Sequence, residues 1–141
     1  MGRRFHLKLP GSTDYLDLIR EFVSKLATQA GFDEENVYKI VLAVDEACTN
    51  VVRHAYSRAN THFVDVEAEV NDVRLTIIVS DSGRGFDPGS ITAPDIEDIM
   101  ARHRGGGFGL YLIKTLMDEV DFSIDPGVRN AVRMTKYLKK G

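Results

Sequence analysis

Apolar residues recur along this chain with two different periods, and the switches between them outline its elements. Phe5, Leu7 and Leu9 alternate with Arg4, His6 and Lys8, which predicts a half-buried strand ended by Pro10-Gly11. The period then lengthens. Tyr15, Leu18, Ile19, Phe22, Val23 and Leu26 predict a helix that Ser12 or Thr13 can cap and Gly31 ends. Asp33 can cap a second helix, with Asn36 where a capping box would carry Glu. The apolar stripe of that helix runs Val37, Ile40, Val41, Val44, Cys48, Val51, Val52 and Ala55.

Alternation returns at Val64, Val66, Ala68 and Val70, and again at Val73, Leu75, Ile77 and Val79. These runs predict a β-hairpin with the two-residue loop Asn71-Asp72. From Asp87 to Arg104 the chain is rich in Pro, Gly and acids and holds at most one short helix, Pro94 to Arg102. Loops of that length in a compact domain are usually lids, binding loops or disordered segments. A helix from about Gly109 to Met117 follows. Strands around Val120–Ile124 and Arg129–Leu138 come last, joined by a turn at Asp125-Pro126-Gly127. The order strand, two helices, hairpin, lid, helix, hairpin predicts an α+β fold. It is a two-layer α/β sandwich whose mixed, mostly antiparallel sheet carries its helices on one face. No linker or repeat divides the 141 residues, so 1–141 reads as one domain.

Composition narrows the setting. An apolar content of 43% supports a core. No apolar run approaches the ~20 residues of a membrane span, and the alternating N-terminus lacks the apolar stretch of a signal peptide. The single cysteine, Cys48, cannot form an internal disulfide and fits a reducing compartment. The expectation is a cytoplasmic protein. A net charge of −3, with Lys and Arg scattered among acids, argues against a general nucleic-acid binder. Lys136, Lys139 and Lys140 read as a solvated end.

Three segments carry chemistry. The first is Asp45-Glu46-Ala47-Cys48-Thr49-Asn50 in the second helix. Glu46 lies opposite the apolar stripe, and Asn50, one turn on, sits roughly 40° away at ~100° per residue. Leu42, Ala43 and Ala47 share that side, so it reads as a pocket wall. A carboxylate there can take a proton from a hydroxyl or water. An Asn carbonyl is a hard oxygen ligand suited to Mg²⁺, which is usually held by few protein groups plus phosphates and waters. His54 extends the same face.

The second segment is Asp81-Ser82-Gly83-Arg84-Gly85, at the end of a strand. A carboxylate there can accept a hydrogen bond from an exocyclic amine such as that of adenine, and glycines let the backbone approach a flat ring. The third is Gly105-Gly106-Gly107-Phe108-Gly109-Leu110, preceded by Arg102, His103 and Arg104. Glycines opening a helix expose N–H groups and the positive dipole end to an anion. The spacing is neither a dinucleotide fingerprint nor a Walker loop. Each segment alone admits an ordinary reading: an exposed face, a surface turn, a hinge. Their occurrence together points to an ATP site.

On these residues the chain resembles the GHKL (Bergerat-fold) ATPase superfamily. Glu46-x-x-x-Asn50 resembles its N box, Asp81-x-Gly83-x-Gly85 its first glycine box and Gly105–Leu110 its second. Within it, Asp45–Asn50 with His54-Ala55-Tyr56, and the run Gly107 to Val120, are most similar to the bacterial anti-sigma-factor serine/threonine kinases. The resemblance spans about residues 5–138.

It implies Glu46 as the general base, Asn50 as the Mg²⁺ ligand and Asp81 as the adenine reader. Gly83 and Gly85 would line the adenine pocket. Gly105, Gly107 and Gly109 would hold the ATP phosphates beneath a lid at 87–104, and Arg104, Gly106, Phe108 and Leu110 would belong to the same ATP-binding set. The substrate it implies is a hydroxyl on a small STAS-domain anti-anti-sigma protein, the second partner a sigma factor, and the assembly a homodimer; neither nucleic acid nor membrane is a partner. One departure stands out. The family usually carries Gly-Thr in the last strand, where the Thr helps bind adenine, whereas here the stretch is Val128-Arg129-Asn130-Ala131-Val132, with Asn130 offering the polar group.

The competing expectation is a protein-binding module that nucleotide gates, with little or no kinase activity. The ATP-binding half of a sensor histidine kinase ranks lower, because the dimerisation helix with its phospho-accepting His is missing. An α+β interaction domain without a ligand is the remaining alternative.

Overall fold

Caps set the helix boundaries. The computed structural model describes residues 2–56, 62–83, 112–125 and 129–138. β1 (Arg3–Pro10) is followed by a 3-10 turn, Thr13–Tyr15, and then by α1 (Leu16–Ala30). The Ser12 hydroxyl accepts from the Asp14 N–H at 3.2 Å, so it caps the 3-10 turn. α1 itself starts without a side-chain cap. Gly31 closes α1 at φ 109°, its N–H reaching back to the carbonyls of Ala27 and Thr28. Asp33 caps α2 (Glu34–Tyr56): its Oδ1 accepts from the Asn36 N–H and from the Asn36 side-chain amide, both at 2.9 Å. Asn36 thus donates toward the cap where a Glu would reach for the cap's own N–H.

β2 (His62–Val70), β3 (Arg74–Gly83), β4 (Glu119–Asp125) and β5 (Arg129–Tyr137) join β1 in a five-stranded sheet ordered β1-β2-β3-β5-β4. All four pairings are antiparallel. Three residues, Asn71-Asp72-Val73, lie between β2 and β3, so the loop takes in Val73, which alternation placed in the second strand. The Asn71 N–H bonds the Arg74 carbonyl at 3.1 Å. The Asn71 side-chain oxygen accepts from the N–H groups of Val73 and Arg74, at 2.8 and 2.9 Å. That amide holds the turn and leaves Val73 half exposed at its tip.

Register aligns the alternating apolar residues into rows. Phe5, Ala68, Ile77, Met134 and Val120 form one; Leu7, Val66, Val79, Val132 and Phe122 form the next. Their central members are buried, together with Leu16, Ile19, Val23, Ile40, Val44 and Cys48 of the helices. The helices therefore cover this face. β1 is an edge strand and more exposed than half-buried alternation implies; Phe5 is held by an edge-to-face contact with Phe22 of α1, centroids 6.4 Å apart. Residues 112–116 are helical and lie within the predicted Gly109–Met117 helix. The predicted lid at 87–104, with Gly85 and the segment from Arg104 to Leu110, lies outside the described residues.

A Cβ at Gly31 would meet only Leu138 Cδ2, at an ordinary 3.7 Å, so the obstacle to a side chain there is backbone conformation. Gly31→Ala is expected to lower unfolding free energy by about 1–2 kcal/mol. Gly31→Asn recovers part of it, as read by urea denaturation.

Candidate active site

α2 is buried on an arc wider than its predicted stripe, because Ala43 and Ala47 are also buried, at 0% and 2% exposure. Asp45 shows which flank meets α1. The Arg20 Nε of α1 donates to Asp45 Oδ1 at 2.8 Å, and the same guanidinium reaches Asp17. Val37 and Val41 share that flank. They line, with Arg20, Ser24, Thr28, Phe32 and Tyr38, a groove of about 600 Å³ between the two helices. Asp45 is therefore occupied by an interhelical ion pair and is not available to a ligand. At ~100° per residue, Glu46 projects roughly opposite the α1 flank. It is half-buried, as is Leu42, and its carboxylate makes no hydrogen bond or ion pair among the described residues.

The layout over the sheet gives that direction meaning. α1 lies toward β1, through Phe22 and Phe5. α2 packs on β2 and β3. The helical residues 112–116 lie toward the other edge, where Lys136 of β5 bonds the Leu116 carbonyl and Lys114 sits over the Phe122 ring of β4 at 5.9 Å. Glu46 thus lies on the side of α2 turned away from α1, the side on which residues 112–116 stand over β4 and β5.

The sheet supplies the floor. Asp81 and Asn130 are direct partners across β3 and β5, in a row with Leu9, Val64 and Ile124. This row is the next step along the sheet from Val79 and Val132. Gly83 pairs with His62 at the same end of the sheet. Five residues separate Tyr56 from His62. They span at most about 20 Å, so the C-terminal half of α2, with Asn50 one turn beyond Glu46, returns to the sheet end that carries Asp81. The register brings Asp81, Gly83 and Asn130 to one end, under the half of α2 that carries Glu46 and Asn50. Gly85 and the Arg104–Leu110 segment lie outside the described residues. The residue types at 46 and 50, a carboxylate and an amide one turn apart on α2, suit a divalent cation held mainly by phosphates.

The model of the histidine kinase-like ATPase domain family matches residues 9–136. The chain belongs to this family. Relatives named "Serine-protein kinase RsbW" are 39% identical in Bacillus licheniformis, covering 95% of this chain and 85% of that protein. In Listeria monocytogenes the identity is 37%, over 99% of this chain and 90% of the relative. In Staphylococcus aureus it is 36%, over 95% and 86%. A solved structure of the RsbU and RsbW domains of Rv1364c from Mycobacterium tuberculosis shares the fold, with a TM-score of 0.67 at 18% identity. It is matched over 95% of this chain, which spans 32% of that structure's length. Among the described residues no helix is long and apolar enough to cross a membrane.

Two polar positions of this ATPase-family chain escaped the sequence reading. Lys136, read as part of a solvated end, is buried at 8% exposure, its Nζ donating to the Leu116 carbonyl at 2.7 Å. The signal was present: position 136 continues the inward alternation of Val132 and Met134. The Arg20–Asp45 pair had no comparable signal, since it joins residues 25 apart. Cys48 is buried as expected, and its thiol is pushed far up from the usual cysteine range, chiefly by desolvation and then by the Asp45 charge. With the folded-state value raised, the thiol stays protonated at pH 8. Iodoacetamide is expected to leave Cys48 unmodified in the folded protein and to alkylate it in urea, as mass spectrometry would read. Labelling of the folded form would contradict this placement.

Proposed function

We propose that this chain is an ATP- and Mg²⁺-dependent serine/threonine protein kinase of the anti-sigma type, phosphorylating a STAS-domain protein and sequestering a sigma factor. The observation that carries the reading is identity of 35–39% to serine-protein kinases over at least 94% of the chain. The position of Glu46 and Asn50 over the Asp81–Asn130 end of the sheet supports it. A cytoplasmic homodimer with no nucleic-acid partner completes the proposal.

Glu46 orients the substrate hydroxyl and accepts its proton as the oxygen attacks the γ-phosphorus. The bond from that phosphorus to the bridging oxygen breaks, and ADP leaves. Such in-line transfer depends on positioning and charge neutralisation more than on covalent participation by the protein. The Asn50 carbonyl oxygen would hold magnesium, which supplies charge neutralisation on the phosphates. Asp81 accepts from the adenine amine, and Asn130, its partner in register, takes the place of the family's Thr. Gly83 and Gly85 admit the ring. The segment Arg104 to Leu110 offers N–H donors and a guanidinium to the phosphates.

The test is incubation with labelled ATP and a cognate STAS domain, read for phosphoserine or phosphothreonine. Glu46→Gln is expected to keep ATP affinity and to lose transfer by about 100-fold or more. Unchanged phosphorylation by that variant would overturn the role of Glu46. ATP binding by the wild-type chain with no transfer to any STAS partner would favour the nucleotide-gated binding module instead.

A further inference from the structure

Lys136 occupies a position where strand alternation calls for an apolar side chain. Its register partner Leu75 is fully buried, and Val132 and Met134, on the same face of β5, belong to the core. A buried ammonium is costly unless it is paired. Here it meets the C-terminal end of a helix, where unpaired carbonyls carry partial negative charge. Its Nζ donates to the Leu116 carbonyl at 2.7 Å, with Asp118 Oδ1 at 3.9 Å.

The helix exit is tied to β5 at two more points. The Asp118 N–H bonds the Thr135 carbonyl at 2.9 Å, and Asp118 Oδ2 accepts from the Tyr137 N–H at 2.8 Å. Ile113 and Met117 are buried with the core, but the apolar driving force is non-directional and singles out no one carbonyl of the helix end. A charge-assisted hydrogen bond to one terminal carbonyl does not.

We propose that Lys136 is a positioning residue for the triphosphate end of the nucleotide. It sets the axial position of the helix that follows the 105–110 glycine segment. This rests on the function proposed above, in which that segment holds the phosphates. Adenine, read by Asp81 at the far end of the sheet from Lys136, does not depend on the clamp.

The experiment compares ATP and adenosine by calorimetric titration of the full chain with Mg²⁺ present. Lys136→Met fills the same space without an N–H donor, and is expected to lose about tenfold in ATP affinity while binding adenosine as the wild type does. Lys136→Gln, which keeps one donor, is expected to fall between the two and serves if the Met variant does not fold. Leu26→Ala, a core truncation in α1, lowers thermal stability but leaves the ATP-to-adenosine ratio unchanged. A Lys136 variant that keeps the wild-type ratio, or that loses both ligands in proportion, overturns the proposal. A wild-type chain that binds ATP no better than adenosine overturns the triphosphate reading itself, and the positioning role with it.

Discussion

The close seating of α2 between the sheet and α1 is the constraint on which the site depends. Ala43 and Ala47 leave room for the helix to approach the strands, while Val44 and Cys48 are buried beside them. The ion pair between Arg20 and Asp45 fixes rotation about the helix axis. With that angle set, Glu46 has one direction left, away from α1 and toward the third helix. A turn of α2 by one residue would carry the carboxylate about 100° around the axis and out of that space. Interiors pack too densely for such a turn to be absorbed quietly.

The sheet imposes the second constraint. Antiparallel register is a discrete variable, and a slip of one residue sends every side chain to the other face. The rows Phe5–Ala68–Ile77–Met134–Val120 and Leu7–Val66–Val79–Val132–Phe122 would lose their burial on a one-residue slip. Their hydrophobic match therefore also sets Asp81 opposite Asn130. Two polar residues from segments 49 positions apart are aligned by the apolar residues beside them. The face turned away from α1 and α2 shows the complementary pattern: His6 with Asp65 at 2.8 Å, Arg4 with Glu69 at 3.2 Å, and Thr76 beside Thr135.

Local signals in the chain were readable where the physics is local. Gly31 and Asp33 terminate and start helices through bonds made within four residues, and both do so in the fold. Ser12 does make a capping bond, but to a 3-10 turn that precedes α1, because a hydroxyl needs only one nearby N–H and does not specify which helix follows. The hairpin loop took in Val73 because the Asn71 amide competes with alternation. Its two bonds to Val73 and Arg74 outweigh burial of one valine at a tip. Lys136 was misjudged because charge dominated the reading of a position whose period was inward.

Hydrophobic periodicity by itself determined which residues form strands and helices and which of their faces turn inward, since those depend on backbone geometry over a few residues. Residue type by itself named Glu46, Asn50 and Asp81 as chemically capable groups. Only the tertiary structure decided that Asp45 is bound to Arg20 while its neighbour Glu46 has no such partner among the described residues, that Asp81 pairs with Asn130 in register, and that Lys136 holds a helix end. Those outcomes depend on contacts between residues 20 to 49 positions apart, and the free energy of such a contact is defined only once the intervening chain has folded.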